Sequence, residues 1–133
     1  MKNGILIMAI TLLLGFSFTY AGTSTVENKQ SQTKIYPKIE MIFVSQPGCN
    51  SCEKIKEYMQ YGAFKKLITE HFIVVKKDLS EARTLPNNLE QPIGTPTIYF
   101  LNEQGEEIID TMIGGKSEEN FMDILQEAIA ASK

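Results

Sequence analysis

Ile39-Glu-Met-Ile-Phe-Val-Ser-Gln-Pro-Gly-Cys49-Asn-Ser-Cys52 is the stretch on which the reading of this chain turns. Ile39 to Val44 is a short apolar run of the kind that forms a mostly buried strand, and Ser45-Gln46-Pro47-Gly48 breaks it. The only two cysteines of the chain, Cys49 and Cys52, follow at once. Asn50 and Ser51 are helix-capping types, and Ile55, Tyr58, Met59 and Gly62 recur at helical spacing. The spacing predicts a helix from about Asn50 to Tyr61. One thiol therefore sits at the end of a strand and the second a turn later, at the start of a helix, where the sulfurs can meet as a Cys49–Cys52 disulfide.

That placement suits thiol–disulfide exchange. First-turn N–H groups and the helix dipole favour negative charge near Cys49, raising the thiolate fraction that attacks a disulfide. Cys52 is expected to be the more buried partner, which attacks the mixed disulfide and releases product. A purely stabilising bridge is the competing reading, but closing so short a loop restrains the unfolded chain by only roughly 2 kcal/mol. Structural zinc needs four ligands, and beyond the two thiols the chain offers a single histidine, His71. No metal site and no cofactor is expected, and His71 reads as a boundary residue.

Outward from this stretch, Phe64, Leu67 and Ile68 suggest a second helical piece, and the β-branched run Phe72-Ile-Val-Val75 a second strand ending near Lys77 or Asp78. Leu79 to Gly94, with Pro86, Asn87, Asn88 and Pro92, reads as loop with one helical turn near Ser80 to Thr84. Thr97 to Leu101 reads as a strand, Asn102 to Gly105 as a turn, and Glu107 to Ile113 as the returning partner strand, stopped by Gly114-Gly115. Ser117 then opens a helix whose Phe121, Ile124, Leu125, Ala128 and Ile129 share one face. A helical crossover joins parallel strands and a tight turn joins antiparallel ones, so the expected fold class is α/β with a mixed sheet.

The whole chain has 133 residues, enough for one ordinary domain. With 43% hydrophobic and 22% charged residues it matches an average globular protein, and a net charge of -3 argues against nucleic-acid partners or anionic membrane surfaces. The start is different. Lys2 is followed by Ile5 to Phe18, apolar apart from Thr11, Ser17 and a glycine, which is the length of a secretory signal region and short of the roughly 20 residues that span a bilayer. Residues 1–21 are read as a signal peptide cleaved after Ala21, 22–36 as a flexible lead rich in Thr, Ser, Asn and Gln, and 37–133 as the domain. An uncleaved anchor is the alternative. The expected location is the periplasm, a redox-managed compartment.

Gly94-Thr95-Pro96-Thr97 precedes a strand at the one place where proline is tolerated, and on composition alone is merely a turn. A Cys-x-x-Cys at a strand-to-helix junction followed by Thr95-Pro96 opening a hairpin, however, resembles the thioredoxin superfamily over about Ile39 to Ala131. The resemblance implies a mixed four-stranded sheet flanked by helices. It also implies a cis Pro96 lying against the cysteine pair, and a substrate groove of Thr95, Pro96, Gly48, Asn50 and Ser51, where Thr95 pairs main chain to main chain with an extended peptide. Gly114 and Gly115 resemble the turn that completes the groove, and equally an ordinary strand-to-helix turn. There are departures. Gly48 stands where the family's familiar site has Trp, Asn50-Ser51 replaces Gly-Pro, and Phe43 occupies the place of the buried acid that assists proton transfer. Glu40 or Asp78 are the substitutes on offer.

These readings converge on an exported, monomeric thiol–disulfide oxidoreductase with Cys49 and Cys52 as catalytic residues. Its expected partners are disulfide-bonded or dithiol protein substrates and a membrane-bound electron donor, and its expected direction is reduction. A dithiol oxidant or isomerase would use the same cysteines. A non-catalytic peptide-binding module with a structural disulfide is the reading from a different class.

Overall fold

A computed structural model describes residues 37–133, so the signal peptide and the lead expected over 1–36 lie outside the described residues. Strand β1 (Ile39–Ser45) runs towards the cysteines, helix α1 (Asn50–Tyr58) follows them, and helix α2 (Gly62–His71) leads into strand β2 (Phe72–Asp78). A 3-10 turn over Leu79–Thr84, a loop, strands β3 (Thr97–Leu101) and β4 (Met112–Ile113), and helix α3 (Glu118–Ala131) complete the chain. The sheet has four strands in the order β2-β1-β3-β4. β1 and β2 are parallel, in register from Ile39 with Phe72 to Ser45 with Asp78, while β3 runs antiparallel to both β1 and β4. The mixed α/β sheet expected from the sequence is present.

Alternation along the central strands sorts the core by face. Ile39, Met41 and Phe43 of β1 and Ile98 and Phe100 of β3 pack with Cys52 and Ile55 of α1, Phe64 and Ile68 of α2, and Phe121, Leu125 and Ala128 of α3. The opposite face carries Ile42, Val44, Tyr99 and Leu101, covered by Leu85 and Leu89 from the irregular segment rather than by an α-helix. Leu79 to Gly94 is therefore a loop by backbone and a core contributor by side chain. Its 3-10 turn is capped by Asp78, whose Oδ1 accepts from Ser80 N at 2.9 Å while Asp78 N donates to Glu81 Oε2 at 2.9 Å.

The structure corrects two expected boundaries. The helix expected to reach Tyr61 stops at Tyr58, because Tyr61 is extended (φ -128°, ψ 157°) and Gly62 takes a left-handed φ of 54° that favours glycine. The partner strand expected over Glu107 to Ile113 shrinks to Met112–Ile113, plus one isolated bridge between Leu101 and Glu107. Ile108 and Ile109 explain why. These adjacent residues both pack on the helix-side core, which successive residues of a pleated strand cannot do.

Candidate active site

β1 delivers the chain to Gly48, whose φ of 75° turns it into α1. Cys49 is the N-cap of that helix, with an extended backbone (φ -84°, ψ 97°), and its Sγ accepts the N–H of Cys52 at 3.1 Å. The cap thus uses sulfur where Ser or Asp oxygen is usual. Cys49 and Cys52 are joined, with an S–S distance of 2.10 Å and Cα atoms 5.2 Å apart. Their environments differ sharply. Cys52 is 0% exposed in the helix-side core, whereas Cys49 is half-buried at the margin of that cluster. Gly48, Asn50 and Ser51 are exposed around it.

The second segment is the turn before β3. The Thr95–Pro96 peptide is cis. Two side-chain hydrogen bonds pin this turn, Thr97 Oγ1 donating to Gly94 O at 2.8 Å and Tyr99 OH to Glu90 O at 2.6 Å. Pro96 is buried, while Thr95 is half-buried with its Oγ1 enclosed and without a hydrogen-bond partner among the described residues.

A third segment joins the first two. Gly114 N donates to Pro96 O at 2.8 Å, with a φ of 77° at Gly114. At Gly115 an added Cβ would stand 2.9 Å from both Cβ and Oγ of Ser51. The glycine pair is thus tied to the cis-proline turn at its first residue and pressed against the Cys-x-x-Cys turn at its second. A double glycine after a strand was the only sign of this in the sequence, and it does not reveal that the two residues are required for different reasons: conformation at Gly114, close approach at Gly115.

The acids proposed as substitutes for Phe43 are not poised for proton transfer. Phe43 is 0% exposed and packs in the cluster that holds Cys52. Glu40 pairs with Ile73 and Leu101 near the start of β1, at the strand end away from the cysteines. Asp78 lies at the cysteine end of β2, but hydrogen bonds from the hydroxyl and the N–H of Ser80 hold its carboxyl below the usual 3.8 and make it a poorer proton acceptor. Among the described residues no helix is long and apolar enough to cross a membrane.

Comparison with known proteins places this geometry. A thioredoxin from Thermus thermophilus superposes with a TM-score of 0.59 at 20% identity, covering 71% of this chain and 76% of its own. A disulphide isomerase from Xylella fastidiosa gives 0.56 at 21% identity, covering 70% and 79%. A periplasmic thioredoxin from Paracoccus pantotrophus, solved in its reduced form, gives 0.52 at 18% identity, covering 72% and 100%. At these identities the likeness is one of fold. No curated protein matches the chain by sequence. The family described as a thioredoxin-like domain matches residues 26–129, most of the chain, and the protein belongs to that thioredoxin-like family.

Proposed function

We propose that the protein is a thiol–disulfide oxidoreductase of an extracytoplasmic compartment that reduces disulfides in exported proteins. One observation carries this reading: a half-buried cysteine at a helix N-cap, Cys49, is bonded to a fully buried one, Cys52. In the reduced protein the Cys49 thiolate, favoured by the N–H of Cys52 and the helix N-terminus, attacks one sulfur of a substrate disulfide. The other substrate sulfur leaves as a thiolate and takes a proton. Cys52 then attacks Cys49 Sγ, freeing the second substrate thiol and leaving the Cys49–Cys52 disulfide. The substrate gains two electrons and two protons, and a dithiol donor at the membrane must return them to the cysteines.

Thr95 supports the same reading. It is half-buried beside the cis Pro96, where an extended substrate segment would pair main chain to main chain with it. The apolar stretch from Ile5 to Phe18 supports export.

Trapping tests the assignment. A Cys52→Ala variant is expected to accumulate mixed disulfides through Cys49, and a Cys49→Ala variant none. If neither variant traps a substrate and the wild type leaves insulin unreduced, the oxidoreductase reading fails. Direction is tested by equilibration with glutathione, where a potential near about -120 mV, typical of a strongly oxidising dithiol, would overturn the reductase assignment.

A further inference from the structure

Between the end of α1, the start of α2 and the first turn of α3 lies a cleft of about 390 Å³. Its walls include Tyr58, Tyr61, Phe64 and Met122, and the carboxylates of Glu57 and Glu118 line it as well. No lysine, arginine or histidine is among its lining residues. Neither carboxylate makes an ion pair among the described residues, where the one salt bridge is Lys56 with Glu53. The rings are organised. Tyr58 stacks on Phe64 with centroids 6.0 Å apart, and Phe64 in turn stacks on Phe121 at 5.6 Å, which anchors the aromatic wall in the core. Tyr61 stands 65% exposed because the chain is extended there, between two helices.

Aromatic faces attract cations, and adjacent free carboxylates add to the attraction while repelling anions. The positive end of the α3 dipole would oppose a cation, but two acids in that first turn, Glu118 and Glu119, offset it. The position matters as much as the chemistry. Tyr58 lies about 13 Å along the α1 axis from Cys49, a span that about four extended residues bridge. On the other wall, Glu118 follows closely after Gly115, the residue pressed against Ser51.

We propose that this cleft receives an arginine side chain of the protein whose disulfide Cys49 attacks, so that substrates are selected by a cationic residue near the reacting cysteine. The planar guanidinium stacks on the tyrosine faces and pairs with Glu57 and Glu118. The proposal rests on the oxidoreductase reading above. It adds a substrate class to that reading: disulfides flanked by arginine.

The test uses short peptides carrying one cysteine disulfide-linked to thionitrobenzoate, with arginine placed at successive positions on either side and citrulline, the neutral isostere, as control. Attack on the peptide sulfur releases the coloured thiolate. At one or two spacings the arginine peptide should react about fivefold faster than its citrulline twin, a ratio expected of one exposed cation–π contact together with a surface ion pair. The advantage should disappear in Tyr61→Ala and in the Glu57→Gln/Glu118→Gln double variant, with reactivity towards citrulline peptides unchanged. Equal rates at every spacing, or an advantage that survives both variants, overturns the proposal.

Peptides that never react would instead overturn the oxidoreductase reading, and the cleft is then decided by titration with acetyl-arginine amide. Ring resonances of Tyr58, Tyr61 and Phe64 that move with arginine and stay with citrulline support it. Rings that ignore both refute it.

Discussion

Gly115 and Ser51 touch so closely that no side chain fits between them: a Cβ on Gly115 would lie 2.9 Å from the Cβ of Ser51, nearer than such atoms approach. The contact is between the residue before Cys52 and the turn after β4, so it ties the Cys-x-x-Cys turn to the far edge of the sheet. Gly115→Ala is expected to cost about 1 kcal/mol, at the low end of overpacking because both residues are exposed and partly able to yield. Ser51→Gly should relieve the clash fully, whereas Ser51→Ala should relieve it only in part, because it removes the Oγ and leaves the Cβ at the same 2.9 Å. A double-mutant cycle by urea unfolding measures this, and additive costs for Gly115→Ala and Ser51→Gly would contradict it.

The unequal burial of the two sulfurs should appear in their chemistry. After reduction, iodoacetamide is expected to modify Cys49 at least about tenfold faster than Cys52, since thiolate fraction and access set the rate and Cys52 is 0% exposed. Peptide mapping by mass spectrometry reads the ratio directly. Comparable rates would mean that reduction opens the start of α1.

Tyr99 gives the fold a dependence on alkaline pH. Burial, with the charges of Glu107 and Glu90 adding to it, holds its phenol above the ordinary value of 10.0. A group raised in this way stabilises the fold fully below its unfolded value and ceases to do so as pH rises through the folded one. Tyr99→Phe also loses the hydrogen bond to Glu90 O. The stability gap between wild type and Tyr99→Phe should therefore be constant near neutrality and narrow above about pH 10. Unfolding curves between neutral and alkaline pH check this, and a gap that widens would reverse the sign.

Phe121 is 0% exposed and stacks on Phe64 with an interplanar angle of 13°. Phe121→Ala should cost about 3–5 kcal/mol, and Phe121→Leu under about 1.5 kcal/mol, because the first opens a cavity beneath the aromatic wall and the second refills most of it. Chemical denaturation distinguishes them.

The legible parts of this molecule were those written in local pattern. Ile39 to Val44 announced a buried strand, and Asn50-Ser51 after a Pro-Gly break announced a helix start that carries the cysteines. What the pattern could not show was set by contacts between distant segments. Gly62 falls at helical spacing from Ile55 and Tyr58, yet it serves as the left-handed residue that divides two helices. Glu107 to Ile113 has strand-forming residues, but Ile108 and Ile109 are both drawn to the same core face and pull the chain off the ladder. Leu85 and Leu89 sit among turn-forming residues and still close one face of the sheet. The contact of Gly115 with Ser51 leaves no trace in periodicity.

The way the sheet is covered has a consequence for how the molecule opens. Three α-helices shield the face that holds Cys52, while the other depends on a 3-10 turn and a loop anchored by Leu85, Leu89 and the Tyr99 hydroxyl. With far less apolar surface to expose, the second face is expected to release before the first as a sub-global unit, which amide hydrogen exchange would read as weaker protection over residues 79–94 than in the three α-helices. That unit ends at the Thr95–Pro96 turn. The cis-proline turn and the helix that carries Cys52 would then belong to different tiers of stability.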